Sequence, residues 1–120
     1  MPAACLYAPQ SFLDKNPATA QALANAIVRA NKWIQAAGPA DIIKAVPESY
    51  LLGDRAVYID ACLTAKNALS PDGLFPEAGP RTAFNALASI DPEIVSAKLD
   101  LGAVYTNDLA RKANAKYPKG

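Results

Sequence analysis

A chain of 120 residues has room for one domain with a core and too little for two. Its formal net charge of +1 excludes the basic footprint of a nucleic-acid binder or of a protein drawn to an anionic membrane surface. The absence of histidine removes Ser-His-Asp and Cys-His catalysis and histidine metal sites, and two cysteines, Cys5 and Cys62, are too few for a zinc site of ordinary spacing, so no metal or cofactor is expected.

Residues Ala3 to Ala8 form an apolar run ended by Pro9, which predicts a buried strand. A helical turn follows around "PQSFLDK". Asn16 as N-cap and Pro17 at the first helical position then open a helix to about Ala37. Its apolar stripe runs Ala20, Leu23, Ala24, Ile27, Ala30, Ile34, and its polar stripe Gln21, Asn25, Arg29, Lys32, Gln35, so the first side is expected inside and the second in water. Gly38 suits the C′ position, with Pro39 blocking continuation. "PADIIKAVP" predicts a short helix and "PESYLL" a single turn.

Gly53 and Asp54 open a second long helix, "DRAVYIDACLTAKNAL". Val57, Ala61, Thr64 and Ala68 share one apolar face, and Tyr58, Cys62, Ala65 and Leu69 the next. The stretch "SPDGLFPEAGP" (70–80) ends this helix with turn chemistry, yet carries Leu74 and Phe75 between its prolines. Pro80 starts a third helix burying Ala83, Phe84, Leu87 and Ala88. Asp91-Pro92 caps a fourth, with Ile94 and Val95 inward. "AKLDLGAVY" reads as extended, and Thr106, Asn107 or Asp108 caps a last helix that ends in a basic, frayed tail.

The expectation is therefore a mostly α chain: one N-terminal strand at about residues 3–8 followed by about six helices. A lone strand cannot satisfy its own backbone groups. Three solutions exist: there is no strand, it pairs with another chain, or the chain is one piece of a larger α/β protein. The apolar stretches are broken every few residues by polar residues or proline, so no membrane insertion is expected, and "MPAACLYAPQ" has no signal-peptide pattern.

The segments "APQSFLDKNPATAQALANAIVRANKWI", "PESYLLGDRAVYIDACLTAKNALSPDGLFPEAGPRTAFNAL" and "DLGAVYTNDLARKA" resemble the C-terminal third of solute-binding proteins of ABC importers, in the nitrate, sulfonate and taurine branch. The likeness runs from about Ala4 to Ala113 and rests on the order and spacing of "KNP", "YLLGD", "SPDGLFP" and "YTND". It implies a type II periplasmic-binding fold of two α/β lobes, of which residues 1–120 are a single partial domain whose helices wrap lobe one. It further implies a periplasmic parent, a small-molecule solute and an ABC permease as partners, no enzymatic activity, and a fragment or truncated frame starting at Met1. A related pyrimidine-synthesis branch relies on histidine and a cysteine-rich motif, and this sequence has neither. The alternative from the orphan strand is a stand-alone helical interaction module or a strand-paired homodimer with no small-molecule role.

On the solute-binding reading, Asp72, Gly73, Leu74 and Phe75 approach the cleft; on the packing reading, Leu74 and Phe75 cover helix ends. Tyr7 is placed at a strand end, where crevices form in open α/β sheets. Arg81 lies near the free N–H groups of a helix start, which together with a guanidinium suit an anion. Trp33 lies between the two stripes of the long helix and is expected to pack. Glu48, Asp54 and Asp60 are isolated, so no catalytic residue is nominated.

Overall fold

The computed structural model describes residues 4–51 and 53–118, and these form seven α-helices with no strand among them. The helices are α1 (Gln10–Lys15), α2 (Pro17–Ala36), α3 (Pro39–Ala45), α4 (Arg55–Ala65), α5 (Ala78–Ala88), α6 (Pro92–Ser96) and α7 (Asp108–Lys116). Single 3-10 turns occupy Glu48–Tyr50 and Lys66–Ala68.

The expected strand-plus-helices piece of an α/β fold is thus replaced by an all-helical chain. Ala3 lies outside the described residues; Ala4 to Ala8 are exposed and carry no strand pairing, with Tyr7 89% accessible. The reason is the one that made the strand an orphan: a ladder needs a second edge, and none is present among the described residues to bond it. An apolar run shows hydrophobicity but does not supply a partner.

Several helix boundaries follow the local chemistry. Asp54 Oδ1 accepts the Ala56 N–H at 2.8 Å, and Asp91 Oδ1 accepts the Glu93 N–H at 2.9 Å, so both aspartates cap as their positions demand. Asn16 behaves differently: its side-chain amide donates back to the Phe12 carbonyl at 3.1 Å, closing α1 rather than capping α2. Gly38 is extended (φ −96°) and is the N-cap of α3, where its N–H donates to Asp41 Oδ2 at 3.0 Å, so it is not a left-handed C′ residue.

The main packing joins α2 to α7, and Ala20, Val28 and Ala113 are buried in these two helices. The basic tail expected to fray is thus a docked helix. Its last turn is held by Lys32 Nζ, which donates to the Tyr117 carbonyl, while the Arg29 guanidinium stacks 5.1 Å from the Tyr117 ring centroid.

This docking rolls α2 by part of a turn from its expected orientation: Ala20 is buried, Ala24 and Ile34 are part-covered and Arg29 is exposed, as the stripes predict, but other positions have moved. Gln21, Asn25, Lys32 and Gln35 are part-buried, whereas Leu23, Ile27, Ala30 and Trp33 are exposed. Gln21 Nε2 donates to the Leu109 carbonyl at 2.9 Å and Gln35 Nε2 to the Lys66 carbonyl at 3.0 Å. The Tyr117 carbonyl lies just past α7, where a helix end leaves acceptors without intrahelical partners, while the Lys66 carbonyl already accepts the Leu69 N–H at 3.1 Å and takes Gln35 as a second donor. Long amide and ammonium side chains on α2 donate to these acceptors, and the bonds fix the roll of the helix.

Elsewhere the burial is thin. No residue of α4 is buried; Tyr58 and Cys62 are half-covered, but Val57 and Ala61 face solvent, as does Val95 on α6. Residues 97–104 form turns, with Lys98 at φ +47° and an Ala103 N–H to Asp100 carbonyl bond of 3.1 Å, in place of an extended passage. The radius of gyration is 17.5 Å, against about 14 Å for a closed domain of this length. The helices therefore do not close around one core.

If the α2–α7 seam carries the stability, Ala113→Leu, placed at a site with 0% exposure, overpacks it and lowers the unfolding free energy by about 1–3 kcal/mol. Val57→Ser on the open face of α4 changes it by less than about 0.5 kcal/mol. Urea denaturation of the two variants measures both effects.

Candidate functional site

The connection from α4 to α5 is built from side chains that bond their own backbone. Ser70 Oγ accepts the Gly73 N–H at 2.9 Å and lies 3.1 Å from Asp72 Oδ1, which also accepts the Leu74 N–H at 3.0 Å. Short polar side chains stabilise turns in this way. Gly73 completes the turn at φ +72°, and a Cβ there would lie 2.9 Å from Val28 Cγ2. Two separate constraints, the left-handed backbone and the contact with α2, exclude a side chain at this position.

Helix α7 holds the other side of the turn. Asn114 Nδ2 donates to the Asp72 carbonyl at 2.8 Å and to the Ala110 carbonyl at 2.8 Å. Asn107 takes both backbone groups of Phe75: its Oδ1 accepts the Phe75 N–H at 2.7 Å, and its Nδ2 donates to the Phe75 carbonyl at 3.0 Å. The amide side chain thus does for Phe75 what a neighbouring strand would do.

The ring so positioned packs against Tyr105, with centroids 5.1 Å apart and planes inclined by 30°. Both rings border an open cavity of about 290 Å³ between α5, α6 and the turns of residues 97–105. Its wall is otherwise hydrocarbon, chiefly Phe84, Leu87, Ile94 and Leu99, and the Tyr105 hydroxyl is the one polar side-chain group among the lining residues. Such a wall binds an apolar body through surface removed from water.

The candidates from the sequence divide between these features. Asp72, Gly73, Leu74 and Phe75 are brought together in one pinned turn, and of these Phe75 reaches the cavity wall. Arg81 is exposed on α5, directly after Pro80, which lines the cavity. Tyr7 is not among the lining residues. Among the described residues no cluster of three His, Cys, Asp or Glu side chains could hold a metal. The Tyr58 hydroxyl on α4 is held above its ordinary range, first by hydrogen bonding with Cys62 and then by partial burial. Both cysteines are free thiols.

Sequence reasoning missed Asn107, Asn114, Tyr105 and Leu99. A signal was available for the asparagines: they are seven residues apart, so two turns of one helix carry amides on the same side. No signal of comparable kind marks Leu99 or Tyr105, which reach the cavity through irregular turns.

Gly73→Ala is expected to lower stability by about 1–3 kcal/mol, and Asn107→Ala by about 1–3 kcal/mol through two unpaired backbone groups of Phe75. Chemical denaturation gives the energies. Backbone amide exchange at Phe75 should rise in Asn107→Ala while exchange within α4 stays unchanged.

No family model and no curated protein matches this chain. It is similar to a solved structure of a protein from Bordetella bronchiseptica RB50, with 57% sequence identity and a TM-score of 0.85 over 93% of this chain. The chain spans 35% of the length of that protein.

Proposed function

We propose that the chain is part of the non-enzymatic solute-binding component of an ABC importer, for a small organic or oxyanion solute of the nitrate, sulfonate and taurine class. The sequence likeness supports this reading, and the observation that carries it is Phe75, a turn residue pinned on both backbone groups so that its ring borders an open hydrocarbon cavity. A wall of this composition favours a solute with an alkyl or aryl body over bare nitrate or taurine.

The anionic end of such a solute needs a cation, and Arg81 is the candidate. It lies three residues before Phe84 on α5, which makes the two side chains neighbours along the helix surface. A guanidinium offers a planar fork of donors to a sulfonate, so binding divides into an apolar contact and a charged one. Asp72, Gly73 and Leu74 act on this reading by holding Phe75 in place. A periplasmic parent and delivery to a permease follow from the likeness and belong to the same proposal.

Calorimetric titration with toluenesulfonate, butanesulfonate, taurine and nitrate tests it. The expected result is one site that takes the two hydrocarbon sulfonates more tightly than taurine or nitrate. Arg81→Gln and Phe84→Ala should each weaken it by about tenfold, or 1.4 kcal/mol. No heat with any of the four would overturn the assignment.

A further inference from the structure

Asp72 is the one aspartate of this chain with glycine after it. That dipeptide carries a reaction of its own. The Gly73 nitrogen can close a five-membered ring onto the Asp72 side chain, and with no Cβ on Gly73 nothing screens its approach. Closure forms a bond from the Gly73 nitrogen to Asp72 Cγ, and the amide proton and the carboxyl hydroxyl leave together as water. The product is a succinimide. Water then adds to either ring carbonyl and breaks its bond to the nitrogen. Opening at the main-chain carbonyl leaves the chain running through Asp72 Cβ and Cγ, an isoaspartyl link one methylene longer than before. One water is lost and one regained, so no oxidant, reductant or co-reactant is required.

In the folded turn each group that must move is tied. The attacking N–H donates to Ser70 Oγ at 2.9 Å. Asp72 Oδ1 accepts the Leu74 N–H at 3.0 Å and the Ser70 hydroxyl at 3.1 Å, which holds the carboxyl in one rotamer. The Asp72 carbonyl accepts Asn114 Nδ2 of α7 at 2.8 Å, so the peptide plane that carries the nitrogen resists rotation. Ring closure therefore draws on the molecules in which this turn has opened locally.

We propose that Asp72–Gly73 is a site of spontaneous aspartate isomerisation held in check by Ser70 and by Asn114 of α7, and that conversion there releases Phe75 from the cavity wall. The second half follows from space. The Gly73 backbone lies so close to α2 that a Cβ would stand 2.9 Å from Val28 Cγ2, and a methylene inserted one residue earlier shifts that backbone. Two residues on, Asn107 holds both backbone groups of Phe75. A lengthened turn cannot keep both contacts. The inference rests on the geometry of the turn and is independent of what the cavity binds.

The test is to age the chain in neutral buffer and digest it with trypsin. The peptide of residues 67–81 contains Asp72 as its one aspartate, so its isoaspartyl form, equal in mass and separable by chromatography, reports the conversion. A synthetic peptide of the same residues gives the unrestrained rate. The native chain is expected to convert at least about tenfold more slowly than the peptide. Asn114→Ala and, separately, Ser70→Ala should each raise the native rate about fivefold, the worth of one hydrogen bond, with the helical circular dichroism retained. A native rate equal to that of the peptide would overturn the proposal, and this comparison needs no variant to fold. Folded variants that both age at the wild-type rate would overturn it as well. In the aged chain, amide exchange at Phe75 should divide into a slow and a fast population, the fast one matching the isoaspartyl fraction. Uniformly slow exchange at high conversion would overturn the release of Phe75.

Discussion

The contact between Gly73 and Val28 is the constraint on which the remaining geometry depends. Val28 is 1% exposed, and Gly73 brings bare backbone so close to it that a Cβ would lie 2.9 Å from Val28 Cγ2. The left-handed turn at Gly73 places the following residues, Leu74 and Phe75, so the approach of two backbones sets where an aromatic ring stands. Packing, turn conformation and the cavity wall are in that sense one arrangement.

Polarity is distributed in an unusual way around this contact. Side chains that water would ordinarily solvate (Gln21, Gln35, Asn107 and Asn114) are turned toward carbonyls and turn backbone, and apolar side chains of α2 and α5 are left accessible. A few buried small residues and a set of amide hydrogen bonds hold the described helices, where most domains of this size rely on a broad hydrophobic interior. Directional bonds specify orientation well even when the apolar area removed from water is modest.

This distribution explains which features were legible in the sequence. Helix positions were, because caps such as Asp54 and Asp91 and breakers such as Pro39 act through neighbours in the chain. The turn at "SPDG" was legible for the same reason. The buried side of α2 was not, since its amphipathic stripe pointed Leu23 and Ile27 inward while distant carbonyls on α7 and after α4 drew Gln21 and Gln35 there instead. The strand at about residues 3–8 failed on a related point: Leu6 and Tyr7 have the side chains of a strand, but pairing is a property of two segments. In the cavity, Phe75 and Phe84 could be singled out from local pattern; Leu99 and Tyr105 depend on turns with no periodic signature.

Helix α7 is fastened at both extremities. At its start Asn107 grips the backbone of Phe75, and beyond its last turn Tyr117 is clasped by Lys32 and Arg29. A short rod anchored in this manner ties two distant parts of the fold to one element. Nine residues of helix separate the two anchors, so the Phe75 turn and the side chains of α2 share a single support. The ring at the cavity wall is thus braced indirectly by α2, through a helix to which neither Phe75 nor Lys32 belongs.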